Sequence, residues 1–427
     1  MKKDVAVVFL NYIQYVSIVP TLEKLTSMGY KVDYYCLKDG DPIGFDIMFN
    51  DFKRMLREKQ IKIYEKALKC EYKVLLEPYP IEMGIRYKYR IKYAYSLLSA
   101  KPNKVYFVRN LLLYDAILCF SKCSANYLSV FSKTFLMGNQ KYGDIYRKKN
   151  NKNSKKVLLY LPTYGEESSI NLIAKEFLKL KEKYYVISKV HHCTTYLKNE
   201  KEQLQKVKDG SDEFYNTNED LGPLLSRADV VLTDNSGAIF EALYTNTPIA
   251  IIADDINKNK YYNFNTTQYE LVQKGIIPYT NNPDDLLKIV AAAMSSKYYE
   301  AQKKWNKENF YHPKDKTKDS VSVIINYIND NIDERYQAMH DILKNEYYLY
   351  KDSYDSLEIK EKEYNDKIES LKLDNDKIQI ENNHLKEQLE IYKLDNDNLK
   401  EQLNYYKTGK LYKIANKIYR IKNGEEK

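Results

Sequence analysis

Two successive α/β domains, each on a parallel sheet, followed by a long helical tail, are the fold that this sequence predicts. Three observations lead there. Short apolar runs alternate with helical stretches over the first 150 residues, the same alternation restarts at Lys156, and from Leu357 onward apolar residues recur every seven positions. The length of 427 residues agrees, because a domain takes about 150 residues and two or three are therefore expected.

In the first domain, residues 5–10 read as a strand, 18–28 as a helix closed by Gly29, 31–36 as a second strand and 115–121 as a later one. In the second, 156–163 opens the pattern, a helix follows near 170–181, and strands return at 185–190, 229–234 and 249–253. The polar run 147–154 has the composition of a linker. Domains are therefore expected at 1–150 and 151–335, with a helical segment over 336–407 and a separate tail over 408–427. Two α/β domains joined this way put a ligand cleft between them, outside the carboxyl ends of the strands.

The helical segment carries Leu357, Tyr364, Leu371, Ile378, Leu385, Tyr392 and Leu399 at heptad spacing, with Asn375, Asn382 and Asn396 on the adjoining seam position. A buried Asn there fixes register and favours two parallel strands, so one uniform helix and a parallel homodimeric coiled coil are expected, with a solvated single helix as the alternative. Beyond it, Leu411, Ile414, Ile418 and Ile421 share one helical face flanked by Lys413, Lys417 and Arg420, with no acid in the segment. That pattern suits a helix lying on an anionic membrane surface. A bundle-packing helix is the competing reading.

Charge and cysteine content narrow the function. Lys and Arg number 68 against 59 Asp and Glu, a formal +9 that favours an anionic partner. The five cysteines form no C-x-x-C pair, so neither a zinc knuckle nor a disulfide framework is implied. The apolar start at Val5 is short, preceded by Asp4 and followed by no small-residue cleavage site, and so reads as a strand instead of a signal peptide. No run of about 18 apolar residues predicts a membrane span. A cytoplasmic protein, peripheral on the inner face of the membrane, fits these features.

Two constellations carry chemistry. The chain has five histidines, none of them in residues 1–150, and His191 and His192 follow the strand at 185–190, where α/β enzymes gather ligand-binding groups. The second is Thr233-Asp234-Asn235-Ser236-Gly237, which ends a strand and enters an expected helix at 236–244 carrying Glu241. A helix start with a small hydroxyl, a glycine and free amides suits phosphate. An N-cap is the commoner use of such a serine.

Leu159 to Tyr164, Ser188 to His191, Asp220 to Leu225 and Ala228 to Ser236, in that order and spacing, are similar to the CDP-glycerol glycerophosphotransferase family of teichoic-acid and capsule polymerases. The resemblance covers roughly 155–330, with a weaker echo at 115–121 and at Met137-Gly138-Asn139. It implies a GT-B-like architecture, two Rossmann-like domains facing a cleft, with a CDP-alditol donor held mainly by the second. It also implies that His191 and Ser236 contact the donor pyrophosphate, that Asp234 shapes the site, that Glu241 lies nearer the nucleotide, and that Thr163 and Gly237 belong to the donor set. Two departures stand out. Asn235 and Gly237 replace the tyrosine and second serine of the family's usual Thr-Asp-Tyr-Ser-Ser, and the Trp-His-Gly histidine of its acceptor half has no counterpart.

Glu77 and Glu82 are the carboxylates expected to stand in as the acceptor-side base, from a Pro/Gly-rich loop; ordinary surface acids are the alternative. Arg86, Lys88, Arg90 and Lys92 alternate with apolar and aromatic residues, which on a strand puts four cations on one face, for a phosphate-bearing acceptor or a lipid headgroup, or on a solvated edge strand. Nothing else resembles a nucleic-acid module, and no cluster calls for a metal or cofactor. The expected reaction is transfer of glycerol phosphate, or a similar alditol phosphate, from a CDP-linked donor to a hydroxyl of a cell-surface polymer or lipid-linked acceptor, with release of CMP. The alternatives are a GT-B nucleotide-sugar glycosyltransferase or UDP-sugar 2-epimerase, and a non-catalytic membrane-associated scaffold.

Overall fold

The computed structural model describes residues 2–9, 12–36, 45–78, 84–94, 111–142, 155–165, 168–191, 194, 201–216, 220–256, 268–375 and 382–409, with 414, 417, 418, 420 and 422. Two fully parallel sheets dominate it. The first has β1 (Lys2–Phe9), β2 (Val32–Cys36), β3 (Ile63–Tyr64), β4 (Glu71–Glu77), β5 (Arg86–Tyr93), β6 (Ala116–Cys119) and β7 (Lys133–Leu136), in the order β3-β2-β1-β4-β5-β6-β7. The second has β8 (Val157–Leu161), β9 (Tyr185–Lys189), β10 (Glu213–Tyr215), β11 (Val230–Thr233), β12 (Ile249–Ile252) and β13 (Tyr279–Thr280), in the order β10-β9-β8-β11-β12-β13.

Parallel strands need crossover connections, and the crossovers cover both faces of the sheet. The central strands are accordingly apolar throughout: every residue of β8, β11 and β12 is buried. Against one face of the second sheet pack Ile173, Phe177, Leu180, Val290 and Ala293. Each large apolar side chain buried this way contributes about 1.5–3 kcal/mol. The helix expected near 170–181 is two pieces, Ile170–Ile173 and Phe177–Lys183, because Ala174 to Glu176 form a turn between them.

Both sheets fall in one compact unit, Met1–Phe107, Ala116–Ser129 and Lys133–Asn331. The chain returns to the first sheet through the helix Lys318–Ile328. Ser320 Oγ lies 2.6 Å from Thr21 Oγ1 and accepts from Gln140 Nε2 at 3.0 Å, joining three distant segments in a buried polar knot. Just past that helix, Asp330 takes the left-handed conformation at φ 58°, a place where Gly or Asn is usual. Its carboxylate compensates by accepting from Lys73 (3.0 Å), Lys88 (2.6 Å) and Tyr89 (2.9 Å). The Lys88 and Lys73 ammoniums hold that carboxyl well below its ordinary range. Gly138, at φ 67°, marks the other close approach: a Cβ there would stand 2.3 Å from Pro313 Cδ.

β5 is an interior strand, between β4 and β6, and this corrects the edge-strand alternative expected for Arg86 to Lys92. Arg86 and Lys88 are exposed, but Arg90 is buried against Glu77 and Lys92 turns to the carbonyl of Pro78. The cations alternate as a strand requires, and the protein's own acceptors take up three of the four.

The second unit comprises Val108–Asp115, Val130–Ser132 and Ile332–Lys427. Its long helix Glu334–Asn375 is followed by a second, Asn382–Thr408, and the two run antiparallel against each other. Tyr364 meets Tyr392 at 5.7 Å between ring centroids, and Asn396 Nδ2 donates to Asn365 Oδ1 at 2.7 Å. Residues 376–381 lie outside the described residues, and on either side of them seam residues expected to face a parallel second copy meet inside one chain. The physical reason is that a heptad stripe states which face is buried and not which helix buries it. Light scattering separates the two pairings: the hairpin predicts a monomer of 50.5 kDa, and a doubled mass lost on deleting 382–408 restores the intermolecular seam.

Candidate active site

In the second sheet the chain builds outward from β8 to β9 and β10, then jumps to the other side of β8 to lay down β11, β12 and β13. The β8/β11 boundary is therefore the topological switch point, where open α/β sheets bind ligands beyond their carboxyl ends. Three consecutive strands supply the expected residues. Thr163 and Tyr164 follow β8, His191 follows β9, and Asp234 to Gly237 follow β11.

Asp234 fixes the geometry. Fully buried, it accepts from Thr163 N–H at 2.9 and 3.1 Å, and from Ser169 N–H at 2.8 Å and Ser169 Oγ–H at 2.9 Å. All the groups facing it are donors, so only an acceptor fits; a carboxylate suits the place and an amide would turn its NH2 toward an N–H. Burial pushes its carboxyl up to about 7, against the hydrogen bonds that favour the charged form. Its work is to tie the loop after β8 to the end of β11, which leaves the loop's next side chain, Tyr164, exposed.

Tyr164 stacks on His191, ring centroids 4.4 Å apart at 30°. The stack holds a half-buried imidazole at the mouth of the switch point. His192 and Glu82 lie outside the described residues, as does Lys413 of the tail.

Ser236 is not the N-cap. The helix spans Ala238–Tyr244, Gly237 occupies the cap position, and Ser236 Oγ accepts from Ala238 N–H at 3.3 Å. At seven residues the helix is shorter than expected and its dipole correspondingly small. Gly237 has an ordinary φ of −61°, and a Cβ built there would meet nothing within 4 Å among the described residues, so neither conformation nor crowding by them demands glycine. Beside them Asn235 is buried; its Nδ2 donates to Asp255 O at 3.5 Å while its Oδ1 has no partner among the described residues. Glu241 accepts from Tyr142 O–H at 2.9 Å. Burial and this carboxylate together push the Tyr142 phenol well above its ordinary value, which keeps it a donor.

Glu77 is corrected as a cleft-facing base. It is the last residue of β4, completely buried, and ion-paired with the nearly buried Arg90. The sequence placed it after an apolar run and therefore in a loop; the strand in fact continues through it. The contributions of Tyr164, Ser169 and Tyr142 carried no signal in the sequence, since tyrosine numbers 43 and serine at a turn is ordinary.

Residues 133–330 match the model of the family described as CDP-Glycerol:Poly(glycerophosphate) glycerophosphotransferase. This part of the chain belongs to that family. The matched stretch begins at β7 and contains the whole second sheet with its switch point. Among solved structures, a histidine-substituted variant of the wall teichoic acid polymerase TagF is similar, at 14% identity and a TM-score of 0.53, over 77% of this chain and 89% of that one. A second such variant gives 14% identity and a TM-score of 0.51 over 78% and 90%, and a TagF structure described as soaked with CDPG gives 14% and 0.50 over 77% and 89%. At that identity the likeness is one of fold, and the fold is GT-B-like. A search of curated protein sequences found no match. Among the described residues, no helix is long and apolar enough to cross a membrane.

Proposed function

We propose that this chain transfers glycerol phosphate, or a similar alditol phosphate, from a CDP-linked donor to a hydroxyl on a cell-surface polymer or lipid-linked acceptor. The acceptor hydroxyl oxygen attacks the β-phosphorus and gives up its proton to water, the bond from that phosphorus to the bridging oxygen breaks, and CMP leaves with the bridging oxygen. His191 and the Ser236–Gly237 turn contact the pyrophosphate, and Asp234 acts through the loop it holds. The observation that carries this reading is that the family-matched segment coincides with the sheet whose switch point collects those residues. Preorganised donors of this kind act most strongly where charge develops. The polymerase's CDPG soak supports a CDP-glycerol donor here.

The test is product analysis with CDP-glycerol, CDP-ribitol and UDP-N-acetylglucosamine. CMP release from a CDP-alditol supports the reading. Turnover of the UDP-sugar alone moves the chain to the nucleotide-sugar class, and no product from any of the three leaves a scaffold.

At the residue level, Ser236→Ala is expected to weaken CDP-alditol binding about tenfold, the effect of losing one hydrogen bond of about 1–1.5 kcal/mol. The melting temperature should stay within a few degrees, because the serine closes only a local turn. Unchanged affinity with lost stability would make it a structural residue.

Membrane contact on the inner face is assigned to the tail. Ile414 and Ile418 supply apolar contact, Lys417 and Arg420 the charge. Deleting 408–427 should abolish sedimentation with anionic liposomes, and binding by the full chain should weaken with salt, since Lys and Arg near an anionic surface are screened within about 8–10 Å. Sedimentation that survives the deletion assigns the membrane contact elsewhere.

A further inference from the structure

The second unit holds a cluster that the transfer reaction does not use. Asp115, His340 and Asp341 each offer one ligand atom, and these atoms lie within 4.8 Å of one another. His340 and Asp341 belong to the helix Glu334–Asn375, where residues 337, 340, 341 and 344 fall on one face. Asp115 is fully buried and His340 is 3% exposed.

The imidazole is the anomaly. Among the described residues neither Nδ1 nor Nε2 has a hydrogen-bond partner, although a neutral ring always carries one donor and one acceptor. Nδ1 points at Asp115, 3.7 Å from its Oδ1, while Tyr336 stacks on the ring at 5.8 Å and 15°. The carboxylates around it are already oriented: Gln337 Nε2 donates to Asp115 Oδ1 at 2.7 Å and to Asp341 Oδ1 at 3.0 Å. The cation among them is Lys344, 2.8 Å from Asp115 and 3.8 Å from Asp341.

We propose that Asp115, His340 and Asp341 form a binding site for a divalent transition-metal ion of the zinc type. The imidazole decides the class, because an all-oxygen set suits Mg²⁺ or Ca²⁺ whereas imidazole with carboxylates suits zinc and its neighbours. Three protein ligands leave one position of a tetrahedral ion for water. Gln337 is the outer residue that aims both carboxylates, as such partners do around metal ligands. Lys344 is the counter-ion of the metal-free chain, displaced when the ion enters. Binding pins the segment that ends at Asp115 to the long helix.

The full-length chain is dialysed against Zn²⁺, with Mg²⁺ as the control, and bound metal is counted; Co²⁺ then serves as the spectroscopic probe. One zinc per chain, no retained magnesium and visible Co²⁺ ligand-field bands are expected. His340→Gln should lower zinc affinity at least tenfold and remove those bands. Lys344→Met should raise affinity at least tenfold, a gain that no folding defect imitates. Co²⁺ bands unchanged by His340→Gln place the metal on other histidines and overturn the proposal. Zinc affinity unchanged by Lys344→Met makes the lysine a permanent counter-ion and overturns it equally.

Discussion

His191→Ala is expected to lower turnover of the CDP-alditol donor by about 10²–10³-fold, the loss of about 2.7–4 kcal/mol seen when one preorganised donor to a transition state is deleted. The loss should appear in kcat more than in KM, because a contact that strengthens as charge develops contributes little to the ground state. Folding should be nearly indifferent. His191 is half-buried and its described ring contact is the stack on Tyr164, worth about 0.5–1.5 kcal/mol. Tyr164→Leu is the control, since it removes the stack while leaving the imidazole. If turnover falls modestly there and collapses in His191→Ala, the imidazole acts on the substrate. Near-wild-type rates in His191→Ala end its assignment.

The strands that were legible in the sequence are those buried on both faces. The runs at 5–10, 156–163, 229–234 and 249–253 are apolar because crossovers cover both sides of a parallel sheet, and β1, β8, β11 and β12 lie within or across them. The solvated edge offered as an alternative for β5 failed for the converse reason. Its cations at Arg90 and Lys92 look solvated in sequence, but partners for them, Glu77 and the carbonyl of Pro78, come from the neighbouring strand and its exit. The switch point shows the same division. His191 and the Asp234 motif were found because each ends an apolar run, whereas the loop they organise was not. Thr163 and Ser169 meet Asp234 across 71 and 65 residues, a pairing set by the fold alone. In the tail the heptad positions Leu357, Asn396 and Leu403 are buried, yet a heptad stripe does not state which helix buries it.

Glu77→Ala is expected to destabilise the protein by about 3–5 kcal/mol, because it strips the partner from a buried guanidinium and leaves an uncompensated charge. Arg90 has nowhere to go: its side chain is 7% exposed on an interior strand, and Glu77, its ion-pair partner, is wholly enclosed. Replacing both members with apolar residues of similar size, Glu77→Leu with Arg90→Met, should recover most of the loss, since a buried pair is often no better than well-packed hydrophobes. Lys92 supplies a second readout. Burial pulls its ammonium down to about 8, and the Glu77 charge opposes that pull. Between about pH 8 and its ordinary value the unfolded chain therefore binds this proton more than the native one, and the Lys92 contribution to stability rises with pH across that window. Removing Glu77 should move the lower edge of the window down. Denaturant titrations of the single and double variants at pH 7 and 9 measure both effects. A Glu77→Ala protein with an unchanged unfolding midpoint but no transferase activity would return this carboxylate to the acceptor side as the missing base.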